Sequence, residues 1–323
     1  MKIDGRRLAD EILNRLFHEV LQLKQKGINP QLAVVLVGDN PNSLAYIRQK
    51  RKAADNVGIK FHFEHFVEPP GREEVIRKIK QLAQDPNIHG LIVQRPVPET
   101  LNTQELTELV PIKKDVDGFL SRSPFFPPVG MAVIKLLCEA YSSRKEVKAI
   151  ESRSSSNNNS VLDSSLSRAK SKDSNNKFSQ FAPEFISWLN SKNIVILGRG
   201  ETAGKPIAAT FLGCGIMFNV IHSQTADKVI LMKHADIIVS CVGKANIVKA
   251  GNIKKGAIVI GIGLHFEEGK LKGDFEEAEI ENSAAFYSPT PRGSGPVNVA
   301  SLMENVVAAA SQAIKQTNLF RKK

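Results

Sequence analysis

The chain has 323 residues, 42% of them apolar and 24% charged, with a formal net charge of +11. That is enough for two ordinary domains of a soluble globular protein, and no apolar run approaches the roughly 18 residues a membrane span needs. The excess of basic charge raises the possibility of a nucleic-acid partner, but no basic cluster interleaved with aromatics is present, so that class is set aside. Part of the excess is local: residues 142–182 hold eight Lys/Arg against four Asp/Glu, and Arg321-Lys322-Lys323 form a basic tail.

In chain order, residues 6–24 have helical apolar spacing, with Asp4 as the expected N-cap. Strands are expected over residues 31–37, 61–66 and 90–94, with helices over 43–57 and 72–83 between them. Strands alternating with helices predict a parallel sheet covered on both faces. A helix is expected over residues 131–141. Residues 142–182 are rich in Ser and Asn, including Ser154-Ser155-Ser156-Asn157-Asn158-Asn159, and read as a mobile insert in a surface connection. A second α/β pattern follows, with strands over 193–197, 217–221, 236–240 and 257–262 and a helix over 204–212. An amphipathic helix over 299–315 comes last. The fold class is α/β in two domains: an N-terminal α/β domain and a Rossmann-type dinucleotide-binding domain, with a cleft between them.

Cys138, Cys214 and Cys241 lie far apart in apolar contexts, the usage of reduced thiols in the cytoplasm. The first seven residues hold no apolar signal core, and Asp10 and Glu11 argue against an acid-poor transit peptide. His62 and His65 are three apart on one strand, so they point to opposite faces. No metal site is expected. Nor does the Asp115/Asp117 pair by itself make a calcium loop; it reads equally as a turn.

Tyr46 and Lys50 are four apart on a predicted helix and share a face. An aromatic plate beside a lysine can hold a flat ring and move a proton, although such a pair is also an ordinary surface contact. Gly198-x-Gly200-x-x-x-Gly204 follows a strand and opens a helix, so bare backbone can approach a pyrophosphate at a helix N-terminus. It is no Walker A loop, because Pro206 follows Lys205 where Ser or Thr is needed. At the end of the next strand, His222-Ser223-Gln224 lacks the acidic residue that holds NAD ribose hydroxyls. Arg199 and Ser223 can instead meet a 2′-phosphate, which favours NADP over NAD, although Arg199 also reads as an ordinary solvated loop residue.

Beside Ser43 through Lys50, four segments in order carry a family resemblance: Gly90-Leu91-Ile92-Val93-Gln94-Arg95-Pro96-Val97-Pro98; Lys114-Asp115-Val116-Asp117-Gly118-Phe119; Gly198-Arg199-Gly200-Glu201-Thr202-Ala203-Gly204-Lys205-Pro206; and Pro289-Thr290-Pro291-Arg292-Gly293-Ser294-Gly295-Pro296. Together they resemble the bifunctional methylenetetrahydrofolate dehydrogenase/cyclohydrolase family, from about Ile3 to Ala310 apart from the insert. The resemblance implies oxidation of 5,10-methylenetetrahydrofolate by NADP and hydrolysis of the methenyl product to 10-formyltetrahydrofolate. It implies Lys50 as the proton-transfer residue, oriented by Gln94, with Tyr46 stacked on the substrate ring and Asp117 bound to the pterin edge. Ser43, Pro291, Gly293 and Gly295 join the substrate set. Gly198, Arg199, Gly200, Gly204, Ser223, Gly243 and Leu264 form the cofactor set. The partners implied are tetrahydrofolate derivatives and a second copy of the chain. The folate-binding domain is placed at 1–121 with 296–323, and the NADP-binding domain at 122–295, interrupted by the insert.

Several positions depart from the family pattern. Arg95 and Val97 stand for leucines, and Arg95 either reaches toward substrate carboxylates or points to solvent. A Pro-Cys-Thr-Pro segment is shortened to Phe126-Pro127-Pro128-Val129-Gly130. Gly200 stands for Ser, Gly261 for Asp, Arg292 for Gly and Asn298 for Thr. These touch the dehydrogenase half most, so a cyclohydrolase with a decayed cofactor half is an alternative. Others are a folate- or nucleotide-binding protein without turnover and a dehydrogenase of small acids, which would lack the Tyr46, Lys50, Gln94 and Asp117 set.

Overall fold

The computed structural model describes residues 1–67, 71–154, 181–267 and 270–320. Two compact units emerge, each built around a parallel sheet. One comprises Arg6–Pro128 and Pro296–Lys323; the other comprises Met1–Gly5 and Val129–Gly295.

In the first unit, the central strand β1 (Gln31–Val37) lies between β2 (Lys60–Phe66) and β3 (Gly90–Val93), all parallel. Six successive residues of β1 are buried, as expected for a strand covered on both faces. Ala33, Val35 and Val37 pack with Leu91 and Val93 against Val75, Ile79 and Leu82 of α3 (Arg72–Gln84). Each such aliphatic side chain contributes roughly 1.5–3 kcal/mol by leaving water. Helix α1 (Gly5–Gln25) precedes the sheet.

Helix α2 (Pro41–Val57) begins two residues before the expected Ser43. Asn40 explains this: its side chain accepts from the N–H groups of Asn42 and Ser43, and Pro41 takes the first helical position, where no N–H is needed. Gly58, at φ 80°, ends the helix in the left-handed conformation. The short α4 (Thr103–Glu108), capped by Asn102, lay below the sequence signal.

In the second unit, β4 (Ile194–Leu197), β5 (Asn219–Ile221), β6 (Ile237–Ser240), β7 (Ala257–Gly261) and β10 (Ala284–Tyr287) form a parallel sheet in the order β10-β7-β6-β4-β5. Ranked along the chain, this is the doubly wound order 2-1-3-4-5, with its switch point between β4 and β6. A separate hairpin, β8 (Leu264–Glu267) with β9 (Lys270–Gly273), and strand β10 were not foreseen. Nor were helices α6 (Pro183–Asn190), α8 (Lys228–His234) and α9 (Glu277–Ile280). Helix α7 (Gly204–Gly213) follows β4 as expected.

Helix α5 runs from Pro128 to Ser154, so the stretch expected to leave the fold at Ser142 begins as helix. The apolar series Val133, Leu136, Leu137 and Ala140 keeps α5 on the core. The Ser/Asn-rich residues 155–180 lie outside the described residues. The last helix, α10 (Ser294–Phe320), starts five residues earlier than its apolar spacing indicated. Among the described residues, no helix is long and apolar enough to cross a membrane.

Candidate active site

In the first unit, Lys50 faces inward from α2 and is 4% exposed. Its Nζ donates to Gln94 Oε1 at 3.0 Å and lies 5.1 Å from the Tyr46 ring centroid. Gln94 directly follows β3, and its Nε2 donates to the Arg95 carbonyl at 2.9 Å, so both ends of that amide are held. Burial lowers the Lys50 pKa below the ordinary lysine range, and the nearby Asp117 charge pulls it back up. Ser43 is buried on the same helix. The structure therefore brings Lys50, Tyr46 and Gln94 together, with Asp117 within electrostatic reach.

Asn298, on α10, donates to the Tyr46 hydroxyl. Burial pushes the Tyr46 phenol well above its usual range; Asp117 adds to this and the Asn298 hydrogen bond opposes it. Tyr46 thus stays a neutral plate. Sequence reading noted Asn298 only as a departure from the family; its contact with a residue 252 positions away has no local signal.

Asp117 sits on a loop fixed by its neighbours. The Asp115 carboxylate accepts from Phe119 N–H at 3.3 Å and Leu120 N–H at 2.9 Å, and its carbonyl accepts from Ser123 Oγ at 3.0 Å. Asp115 is therefore a turn anchor. Gly118 has φ 68°, and a Cβ there would lie 2.7 Å from Pro127 N, so no other residue fits without displacing the backbone. Asn305, unnoticed in the sequence, uses its amide to donate to Val116 O at 2.8 Å and Phe126 O at 3.0 Å, pinning both sides of the loop to α10. Arg95 neither points to solvent nor stands free to meet a carboxylate. Its guanidinium covers the Phe119 ring at 3.9 Å and donates to Thr107 Oγ1 at 3.0 Å.

The second unit holds the glycine loop at the C-terminal end of β4. A Cβ on Gly204 would lie 2.3 Å from Gly198 O, so the loop folds onto bare backbone. Gly198, at φ 98°, packs at the switch point, where a Cβ would lie 3.0 Å from Cys241 O. Arg199 and Ser223 are exposed just beyond the neighbouring ends of β4 and β5, and Gly198 N–H donates to Ile221 O at 2.8 Å. Gly200 is exposed, with open space where a side chain would lie.

Gly243 has φ 70°, and a Cβ there would lie 3.0 Å from Leu264 O. Its loop is organised by Asp274, which sequence reading missed. That fully buried carboxylate accepts from Val242, Gly243 and Lys244 N–H at 3.0, 2.7 and 3.0 Å, and from Ser240 Oγ. Next to Leu264, both ring nitrogens of His265 are buried without a hydrogen-bond partner among the described residues. A glycine loop at the C-terminal end of β4 that opens α7 at the switch point of the sheet fits a dinucleotide.

Pro291, Gly293 and Gly295 belong to this second unit, on the segment from β10 into α10. There Gly293 is packed so that a Cβ would lie 2.3 Å from Pro289 O, and Ser294 Oγ donates to Gly261 O at 2.7 Å. Gly261 itself leaves room for Phe275, whose ring a Cβ would meet at 3.0 Å. Of the two histidines weighed as ligands, His62 Nε2 pairs with Gln31 Oε1 at 2.6 Å and His65 Nε2 with Gly38 O at 3.0 Å.

The tetrahydrofolate dehydrogenase/cyclohydrolase catalytic-domain model matches residues 3–117, and the NAD(P)-binding-domain model of the same family matches residues 184–314. The bifunctional protein FolD of Bacillus licheniformis is 32% identical over 323 residues, spanning 97% of this chain and 98% of that protein. The crystal structure of FolD methylenetetrahydrofolate dehydrogenase/cyclohydrolase from Campylobacter jejuni superposes with a TM-score of 0.79 at 30% identity, covering 97% and 99% of the two chains. The Trypanosoma brucei enzyme, solved with NADP cofactor and an inhibitor, gives a TM-score of 0.79 at 25% identity and covers 97% and 98%.

Proposed function

The chain belongs to the tetrahydrofolate dehydrogenase/cyclohydrolase family, and from that premise we propose that it oxidises 5,10-methylenetetrahydrofolate with NADP and hydrolyses the methenyl product to 10-formyltetrahydrofolate. The observation that carries this reading is Lys50, buried, held by Gln94 and set against the Tyr46 ring.

Tyr46 offers its face to a flat substrate ring. Asp117, an acceptor-only group, suits the amino and ring N–H donors of a pterin edge. Ser43, buried on the same helix, completes the substrate set of this unit in this reading. Hydrolysis of a methenyl cation needs a proton taken from the attacking water and another delivered to the departing ring nitrogen. A lysine whose ammonium is destabilised by burial can do both near neutral pH. The carbonyl oxygen of Gln94 accepts from Lys50 Nζ and so aims the amine.

NADP, when bound, supplies the hydride acceptor. Gly198, Gly200 and Gly204 would take its pyrophosphate against the N-terminus of α7. Arg199 and Ser223 would take the 2′-phosphate, and Gly243 and Leu264 would flank the site. The folate site is assigned to the unit built on β1–β3 and the cofactor site to the unit built on β4–β7.

The working form is proposed to be a homodimer in the cytoplasm. The edge strand β5 and the helices beside it expose Leu212, Met217, Val220, Val229 and Ile230, a run of apolar side chains on one unit. The free thiols Cys138, Cys214 and Cys241 suit a reducing compartment. Burial pushes Cys214 up to about 11 and Cys241 higher still, which keeps both unreactive.

The test is absorbance of the purified chain with methylenetetrahydrofolate, run separately with NADP and NAD. Reduced cofactor and methenyl product appearing with NADP is the expected result. Hydrolysis of added methenyltetrahydrofolate without cofactor reduction would replace this reading by a cyclohydrolase alone. The departures at Gly200, Gly261 and Arg292 favour that second reading. Silence in both assays would overturn both.

A further inference from the structure

Gln94 and Asp117 stand on different segments, one at the end of β3 and the other on the loop after residues 112–114, and the Lys50 amine that Gln94 aims can meet a ring held by Asp117 only if their spacing is held. The contacts just outside them show what holds it. Arg95 follows Gln94 and fixes it through the 2.9 Å bond from Gln94 Nε2 to the Arg95 carbonyl. The Arg95 side chain then crosses to the other segment, where its guanidinium carbon lies over the Phe119 ring, two residues past Asp117, at 3.9 Å from the centroid. Thr107 Oγ1 accepts from the guanidinium at 3.0 Å while its own hydrogen goes to Thr103 O at 2.7 Å, so the third anchor comes from α4.

On the loop side, Asp115 and Asn305 hold the backbone around Asp117, Phe119 N–H through a long bond of 3.3 Å, and Arg95 adds a contact to the Phe119 side chain. We propose that Arg95 is a positioning residue for the folate reaction: a latch that clamps the Asp117 loop to the end of β3 through Phe119. The inference rests on the function proposed above. A leucine here could touch the Phe119 ring but would make neither the bond to Thr107 nor the cation–π contact. Lysine lacks the planar fork that does both at once.

The test uses the full chain with Arg95→Leu, Arg95→Lys, Phe119→Ala and the Arg95→Leu/Phe119→Ala double variant. Methenyltetrahydrofolate hydrolysis gives KM and kcat, and amide hydrogen exchange of the ligand-free protein is followed over residues 116–120. Arg95→Leu is expected to raise KM roughly threefold to tenfold, with kcat within about twofold and the pH profile of kcat unmoved, since Lys50 is untouched. Phe119→Ala should do the same, and the double variant should be no worse than the worse single one. Arg95→Lys should recover only part of the loss. Exchange over 116–120 should quicken in Arg95→Leu.

An unchanged KM in Arg95→Leu, additive losses in the double variant, or a lowered Tm with parental KM would each overturn the latch. Should Phe119→Ala fail to fold, full recovery in Arg95→Lys overturns it. Should the unmodified chain show no turnover, the folate function fails on its own account. The exchange rates then decide the latch: faster exchange in Arg95→Leu upholds it, and parental exchange ends it.

Discussion

Lys50→Met tests the proposed chemistry most directly. Methionine keeps the unbranched shape in a site where Lys50 is 4% exposed, so packing is largely preserved. The amine and its proton are lost. General acid–base catalysis contributes about 10²–10⁴ in rate, or about 3–5 kcal/mol of barrier, so methenyltetrahydrofolate hydrolysis should fall by that factor. Folate affinity, measured by calorimetry, should stay within about threefold, because Tyr46 and Asp117 remain.

Stability adds a second reading of the same variant. Gln94 Oε1 loses its donor, which costs about 1–3 kcal/mol if it stays dry. Against this, the parent carries a buried ammonium whose folded-state pKa lies below its ordinary 10.5. Between that lowered value and 10.5 the unfolded chain holds the extra proton, so parental stability rises with pH across the window. Below the window the full burial penalty is present. Lys50→Met abolishes the penalty, so its stability relative to the parent should be highest below the lowered value and should decline as pH climbs toward 10.5. Hydrolysis by Lys50→Met at the parental rate, or by Lys50→Arg, whose side chain cannot give up its proton, would refute the assignment.

Four further outcomes are expected. Tyr46→Phe keeps the ring face and should leave folate KM within about threefold. Tyr46→Ala should raise KM by about tenfold, in line with about 1 kcal/mol for ring contact plus lost buried area; equal effects in steady-state kinetics would argue against stacking. Gly204→Ala pushes a methyl group to 2.3 Å from Gly198 O and should abolish NADPH binding, followed by cofactor fluorescence, while methenyl hydrolysis persists. Arg199→Ala should lose about tenfold or more in affinity for NADP and little for NAD, since a charge-assisted bond contributes about 1.5–3 kcal/mol; equal losses by calorimetry would remove Arg199 from the 2′-phosphate. Arg292 holds φ 80°, a left-handed conformation costly for a side-chain-bearing residue, so Arg292→Gly should stabilise by about 0.5–1 kcal/mol in urea unfolding.

Much of the fold was legible because it is written locally. The unbroken apolar run of β1 and the strand–glycine–helix pattern around Gly198 each follow from neighbours in sequence. Elements that failed to announce themselves, such as α4, β10 and the β8–β9 hairpin, are short and draw their stability from tertiary packing, which periodicity does not record. The start of α2 was misplaced because Asn40 and Pro41 read as a turn, when the same two residues cap and open a helix.

For the site, the amino-acid sequence alone determined which groups are available: a lysine one helical turn from a tyrosine, a glutamine after a strand, an aspartate in a glycine-bearing loop, glycines where backbone must come close. Spacing fixes these because helices and strands repeat over a few residues. Only the tertiary structure decided how those groups are held. Asn298 reaches Tyr46, Asn305 ties Val116 to Phe126, Arg95 crosses to Phe119, and Asp274 gathers residues 240–244. Each is a polar closure between segments distant in sequence or belonging to different elements. Such closures are set by where buried donors and acceptors must find partners once water is gone, and no local pattern encodes that.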